Sequence, residues 1–168
     1  MDSEDRNLIE RFSDLTGRVT AWLTLVMVVT TFLIVVLRYV FAAGFIWLQE
    51  ALVWMHATVF MAGAAYTLLH EGHVRVDVFY RDIGPRKQAW VDLLGVLLLL
   101  LPVCIFLAWK SYGFAITSWS MHEASRESGG LPYPFLPIVK SVLIVMPVTV
   151  AAQGLSMLWR SLVVLRRN

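Results

Sequence analysis

The chain has 168 residues, of which 58% are hydrophobic and only 15% are charged. Ordinary soluble domains carry about a quarter charged residues, so this composition predicts an integral membrane protein. The net charge of +2 is too small to indicate a nucleic-acid partner, and the single cysteine, Cys104, excludes a disulfide within the chain.

The first apolar run, from Val19 to Leu37, follows a polar segment of mixed charge. It is longer than the core of a signal peptide, and no small-residue cleavage site follows it. We therefore expect a retained span rather than a cleaved leader.

Three further apolar runs are also long enough to cross the hydrocarbon layer. We expect them to be helices, because lipid cannot form hydrogen bonds with unpaired backbone N–H and C=O groups. The sequence predicts an all-α integral membrane protein of one domain, residues 1–168, with four transmembrane helices. The predicted spans are approximately 19–39, 46–70, 88–112 and 138–164, with a corner at 71–87 and a connection at 113–137.

Basic residues are distributed unequally between the two sides of these spans. Ten of the fourteen Lys and Arg residues lie in the N-terminal segment, the 71–87 corner and the C-terminal segment. The positive-inside rule therefore predicts that both termini and the 71–87 corner are cytoplasmic, and that the 113–137 connection is periplasmic.

The second span carries two stripes at helical spacing. We expect the stripe with small and polar members to face other helices, and the more apolar stripe beside it to face lipid. The first stripe contains Gln49, Val53, His56, Phe60, Gly63, Thr67 and His70, and the second contains Leu48, Leu52, Met55, Val59, Ala62, Tyr66 and Leu69.

Two ionisable residues lie inside this span. His56 is near the centre of the bilayer, where it is either a hydrogen-bonded packing residue or a haem ligand, and spans one, three and four contain no second histidine. Glu50 is close to the external interface, where it is an ion or substrate ligand, one half of a structural ion pair with Arg38 as the candidate partner, or a contact to another subunit.

The sequence HEGHVRVDVFY, residues 70–80, is dense in ionisable groups. Zinc proteases need two histidines four residues apart, whereas His70 and His73 are three apart and Gly72 interrupts the helix. Asp77 adds one candidate ligand, which is too few for a zinc site. We interpret the segment as a shaped cytoplasmic turn, and we predict no metal, no cofactor and no enzymatic activity.

The connection before the fourth span has two parts. Tyr112, Ile116 and Trp119 recur at helical spacing, so we expect the third helix to continue beyond the membrane. We interpret the charged group that follows, His122, Glu123, Arg126 and Glu127, as a solvated helix end. In the fourth span Gln153 belongs to a stripe of small and polar residues that is typical of ordinary helix packing.

Several short sequences, in this order, resemble the DctQ-like small membrane subunit of tripartite ATP-independent periplasmic (TRAP) transporters. They are LRYVF at 37–41, Trp47 with Glu50, GAAY at 63–66, GHVRVD at 72–77, ESGGLPYPFLPIVK at 127–140 and AQG at 152–154.

The resemblance implies a bacterial inner-membrane importer of three components. A periplasmic substrate-binding protein captures an organic acid, a large membrane subunit moves it with sodium, and the small subunit acts as a scaffold among membrane lipids. Because the chain ends on VVLRRN, we expect the large subunit to be a separate polypeptide. The candidate interface or structural polar residues are Arg38, Trp47, Gln49, Glu50, His56, Gly63, His73, Arg75, Asp77 and Gln153.

Two other functions stay open on the residues alone. One is a haem-binding or other anchor subunit of a respiratory complex, and the other is a small channel or transporter that acts alone.

Overall fold

The computed structural model describes residues 8–70 and 84–166, and side chains from residue 11 onward. Within these residues the chain forms four helices, each long and apolar enough to cross a membrane. They are α1 (Leu8–Tyr39), α2 (Ile46–Leu69), α3 (Gly84–Ser120) and α4 (Phe135–Arg166). This confirms the predicted all-α class with four spans. The side of the membrane on which the termini lie stays a prediction.

The first and third helices are longer than the predicted spans. Helix α1 begins at Leu8 rather than 19. Helix α3 begins at Gly84 rather than 88, so the last residues of the predicted 71–87 corner are helical. It continues to Ser120, as the spacing of Tyr112, Ile116 and Trp119 predicted. Residues 71–83, the rest of the corner, lie outside the described part of the chain.

The helices form two antiparallel hairpins, α1 with α2 and α3 with α4, which meet where α2 packs on α4. Helix α4 also contacts α1, so it lies between the other three helices. We call the end of the bundle that contains residues 40–45 and 121–134 the loop end. The opposite end, with the first residues of α1 and the last residues of α4, is the terminal end.

The interior of the bundle is built from small residues, whereas the large apolar side chains point outward. This arrangement is typical of membrane helices, because lipid tails are as apolar as leucine and close helix contacts need small side chains. The buried residues include Ala65, Ala89, Cys104 and Ala115 among the apolar ones, and Ser13, Thr20, Ser118, Gln153, Ser156 and Ser161 among the polar ones.

Two glycines lie at the closest helix contacts. A Cβ atom on Gly17 of α1 would overlap the ring of Tyr66 on α2. A Cβ atom on Gly154 of α4 would lie 2.6 Å from Cδ2 of Leu100 on α3. The absence of a side chain at Gly17 therefore sets the distance between α1 and α2, whereas at Gly154 only the end of the Leu100 side chain would have to move.

Pro102 in α3 is accommodated by a wider turn just before it. A proline has no N–H to donate and its ring crowds the carbonyl four residues earlier. Residues Val96–Leu100 form a π-helical turn, and the Leu101 N–H donates to the carbonyl oxygen of Val96, five residues back. The turn lets the helix continue past the proline without ending.

Candidate interaction site at the loop end and along α2

Glu50, the fifth residue of α2, binds the long loop before α4. One carboxylate oxygen accepts a hydrogen bond from the Ser125 hydroxyl, and the other accepts the Leu131 N–H at 2.7 Å. The Trp47 N–H also donates to the carbonyl oxygen of Gly129, at 3.1 Å. The start of α2 thus holds the loop at three points. No ion pair joins Glu50 to Arg38, the candidate partner: the described partners of the carboxylate are neutral donors of the loop, and Arg38 lies at a separate pocket.

Gly130 is required where the loop crosses Glu50. A Cβ atom at this position would lie 2.8 Å from a Glu50 carboxylate oxygen and would also overlap the Ser125 side chain. The glycine therefore lets the backbone approach the carboxylate closely enough for the neighbouring N–H, that of Leu131, to reach it.

Glu123 forms a second connection at the loop end, this time to α4. Its carboxylate accepts hydrogen bonds from the Ser118 hydroxyl at 2.7 Å and from Lys140 Nζ at 2.5 Å. The Lys140 ammonium also lies 4.1 Å from the centroid of the Phe114 ring. The donated hydrogen bonds, that of Lys140 first, hold the pKa of Glu123 below its ordinary value.

The interpretation of the 122–127 group as a solvated helix end is thus wrong for Glu123. The partner, Lys140, is 17 residues away in sequence, and helical or strand periodicity carries no signal for such a pair. Aromatic contacts complete the same region. The Trp119 indole N–H donates to the Ser141 hydroxyl at 2.9 Å, and the ring of Tyr133 packs against those of Trp119 and His122.

The two stripes of α2 face the opposite way from the prediction within this chain. Val53, His56, Phe60 and Thr67 of the small and polar stripe are exposed, and Val53 and Phe60 are each 65% exposed. All seven members of the more apolar stripe are half-buried. Shape explains this orientation of α2. The large ring of Tyr66 fits into the space left by Gly17, so the more apolar stripe forms the hairpin contact.

His56 and Gly63 occupy different positions relative to this contact. The ring of His56 lies on the outer face of α2, 4.8 Å from the ring of Phe60. Gly63 is half-buried beside α1, where an added Cβ atom would lie 3.8 Å from the Thr20 hydroxyl oxygen. Of these two candidate residues, only Gly63 takes part in packing within the chain.

A cleft of about 470 Å³ opens at the loop end, between the first turns of α2, the loop and the start of α4. Gln49 and Val53 line it on one side, and the carboxylates of Glu50 and Glu127 also lie at its wall. Arg38 lies beside a separate, narrow pocket that it shares with Gln49. The structure thus brings Gln49 and Glu50 to one site and leaves Arg38 outside it.

Polar contacts also join the helices at the terminal end. His70 Nε2 lies 3.1 Å from a carboxylate oxygen of Asp14, whose other oxygen pairs with Arg18 at 2.9 Å. The Ser13 hydroxyl donates to the side-chain oxygen of Gln153 at 3.5 Å, and both residues are buried. This contact joins α4 to α1 through Gln153, whose predicted role stays a prediction.

The remaining candidate residues, His73, Arg75 and Asp77, lie outside the described residues. Within residues 8–70 and 84–166, no three His, Cys, Asp or Glu side chains are grouped closely enough to hold a metal ion. The proposed absence of a metal at the 70–80 segment therefore stays a prediction.

Comparisons with known proteins give one match. A family model described as the DctQ component of tripartite ATP-independent periplasmic transporters matches residues 27–164. No curated protein and no solved structure matches. The matched region covers most of the chain: the second part of α1, all of α2 and α3, the loop end with its cleft, and nearly all of α4. This protein therefore belongs to the DctQ family, the small membrane subunits of TRAP transporters.

Proposed function

We propose that this chain is the scaffold of a sodium-driven importer of an organic acid. It holds the large membrane subunit in the bacterial inner membrane, with both of its own termini in the cytoplasm. It also presents its loop end to a periplasmic substrate-binding protein. Sodium and substrate bind in the large subunit.

The observation that carries this proposal is the position of Glu50. Glu50 is the one carboxylic acid in α2. It would be the natural ligand for a coupling ion, because carboxylate oxygens are preferred ligands of hard cations. Both of its oxygens instead accept hydrogen bonds from the loop, from Ser125 and from the Leu131 N–H. A carboxylate bonded in this way holds the loop in one conformation. A fixed surface at the loop end is what a protein that docks partners requires.

The other polar groups of the helices support the same role. Secondary transporters place ion sites at the midplane, between helices whose broken ends supply ligands. Here the buried Gln153 side chain accepts a hydrogen bond from Ser13, which joins α4 to α1. The threonine hydroxyls of α1 donate to carbonyl oxygens within their own helix. These groups hold helices together or are satisfied locally.

Uptake by proteoliposomes that contain both membrane subunits and the binding protein tests the proposal. Glu50→Gln removes the charge while keeping the shape, so we expect fewer assembled complexes or slower uptake at every sodium concentration. We expect the Hill coefficient for sodium to stay unchanged. Lys110→Gln is the control, because it also removes one charge from an exposed side chain and Lys110 lies outside the cleft.

A reduced sodium Hill coefficient in Glu50→Gln, with the complex still intact, would show that the small subunit binds a coupling ion. That result would overturn the scaffold proposal. Co-purification from the native host with a tagged chain tests the partners separately, and we expect the large membrane subunit among the captured proteins.

A further inference from the structure

The outer face of α2 carries two polar side chains, Gln49 and His56, that have no hydrogen-bond partner among the described residues. Gln49, His56 and Thr67 are all exposed on this face. The Thr67 hydroxyl donates to the carbonyl oxygen of Gly63 in its own helix. Among the described residues, the imidazole nitrogens of His56 and the side-chain amide of Gln49 have no hydrogen-bond partner.

His56 lies deep in the membrane, so its lack of a hydrogen-bond partner among the described residues is informative. It lies ten residues after Ile46, or about 15 Å along a helix that is long enough to span the hydrocarbon layer. A neutral imidazole has one donor and one acceptor nitrogen, and lipid tails can bond neither. Intramembrane histidines accordingly face protein or a water-filled space rather than lipid. The face that carries His56 is therefore a protein-covered face in the assembled transporter.

This face is continuous with the cleft at the loop end. Gln49 and Val53 belong both to the outer stripe of α2 and to the cleft wall. This face thus extends from the loop end to the middle of the membrane, with polar side chains at Gln49 and His56. One membrane helix lying along α2 would cover its whole length.

The charge of the cleft indicates the chemistry of that helix at its loop end. The Glu50 carboxylate is bonded only to neutral donors, and the Glu127 side chain has no ion pair among the described residues. Arg38 lies in the neighbouring pocket and pairs with neither carboxylate. The cleft is therefore acidic, and a lysine or arginine is the complementary occupant.

A second copy of this chain does not meet these requirements. Two copies inserted in the same direction and related by a two-fold axis would place the same surface on both sides of the contact. The acidic cleft would then face another acidic cleft, and His56 would face His56. Like charges in close juxtaposition are unfavourable, so the two-fold dimer is disfavoured.

We propose that the outer face of α2 is the docking surface for a transmembrane helix of the large subunit. That helix places a basic side chain in the cleft beside Glu127 and a hydrogen-bonding group opposite His56. The proposal rests on the scaffold function above and names the surface through which it acts.

Photo-crosslinking in the complete complex tests the position of the contact. Phe60, one turn from His56, is 65% exposed and can be replaced by the photoreactive benzoylphenylalanine with little change in shape. Phe32 on α1 (69% exposed) and Phe106 on α3 (54% exposed) are matched controls on other faces. We expect a cross-link to the large subunit from position 60 that clearly exceeds those from positions 32 and 106.

Substitutions at His56 test the chemistry of the contact. His56→Leu removes the hydrogen-bonding group, so we expect the recovery of the large subunit with the tagged chain to fall about three- to thirtyfold. His56→Gln keeps a donor and an acceptor and should restore much of this recovery. A face exposed to lipid would give the reverse result, with His56→Leu recovered at least as well as the original chain.

Charge reversal tests the cleft. Glu127→Lys should weaken the complex and reduce its sensitivity to salt, whereas Ser128→Lys, which adds the same charge at the next exposed position, should have a smaller effect. Equal effects of the two substitutions would overturn the proposed basic occupant.

The outcomes also separate this inference from the scaffold function. If the large subunit co-purifies but cross-links from position 32 or 106 and not from 60, the docking surface is wrong and the scaffold function stands. A cross-link from position 60 to a second copy of this chain would equally overturn the proposed occupant. If the large subunit never co-purifies, the scaffold function itself fails.

Discussion

Two carboxylates at the loop end, Glu50 and Glu123, each bind donors from a different segment of the chain. Glu50 accepts the Ser125 hydroxyl and the Leu131 N–H, and Glu123 accepts the Ser118 hydroxyl and the Lys140 ammonium. Hydrogen bonds to an ionised group are stronger than those between neutral groups. The loop is therefore fixed both to the start of α2 and to the side of α4.

The Glu123 network predicts an acid-sensitive loop end. The pKa of Glu123 is lowered from its ordinary value of 4.5 by the hydrogen bonds from Lys140 and Ser118. A carboxyl whose pKa is lower in the folded state stabilises the fold above pH 4.5 and loses that contribution as the pH falls through the folded value. We expect wild type to melt at a higher temperature than Glu123→Gln at pH 7, and the difference to shrink below pH 4.5.

Thermal unfolding in detergent between pH 7 and pH 3 measures this difference. Glu127→Gln is the control, because its carboxylate has no bonded partner among the described residues and should show little pH-dependent difference from wild type. A Glu123→Gln difference that stays constant down to pH 3 would contradict the stabilising role of the ionised carboxylate.

At the scale of the elements, the α1–α2 hairpin depends on one close contact. Gly17 and Tyr66 are adjacent across the two helices, and there is no room for a methyl group between them. At Gly63, in contrast, an added Cβ atom would make an ordinary contact with the Thr20 hydroxyl oxygen at 3.8 Å. The two glycines lie on the same hairpin but have different packing roles.

We predict that Gly17→Ala destabilises the chain by about 1–3 kcal/mol, the usual cost of an overpacked contact. Gly63→Ala should be neutral or slightly stabilising, because alanine favours a helix by roughly 0.5–1 kcal/mol relative to glycine. Unfolding in detergent gives both free energies. In the double variant Gly17→Ala/Tyr66→Ala, removal of the Tyr66 ring should offset part of the destabilisation that Gly17→Ala causes. Equal effects at positions 17 and 63 would show that the ring contact does not set the helix distance.

At the scale of the whole molecule, four helices in two antiparallel hairpins place both ends of the described chain on the same side of the bundle. The excess of basic residues on that side predicts that it is cytoplasmic. The loop end, with its cleft, then faces the periplasm, where a substrate-binding protein can reach it.

Single-cysteine labelling in intact cells checks this topology. In a Cys104→Ala background, Ser128→Cys should react with a membrane-impermeant maleimide, because Ser128 is exposed at the loop end. Lys87→Cys, exposed near the start of α3, should react only after the cells are opened. Labelling of position 87 in intact cells, with position 128 protected, would mean that the chain is inserted in the opposite direction.

The sequence by itself determined the class of protein, the number of spans and the continuation of α3 beyond residue 112. These follow from the length of apolar runs and from helical spacing, which are properties of neighbouring residues. The family resemblance was likewise visible in short stretches such as LRYVF and GHVRVD, and the family match confirms it.

Only the tertiary structure decided which face of α2 is inside, and which donors Glu50 and Glu123 bind. In a membrane, hydrophobicity does not separate the inner face of a helix from the outer one, since lipid is as apolar as a packed side chain. The choice depends on shape, here the fit of Tyr66 into the space left by Gly17. The partners of Glu50 and Glu123 lie on other helices or across a loop, as Lys140 and Leu131 do, so their proximity exists only after the hairpins have packed.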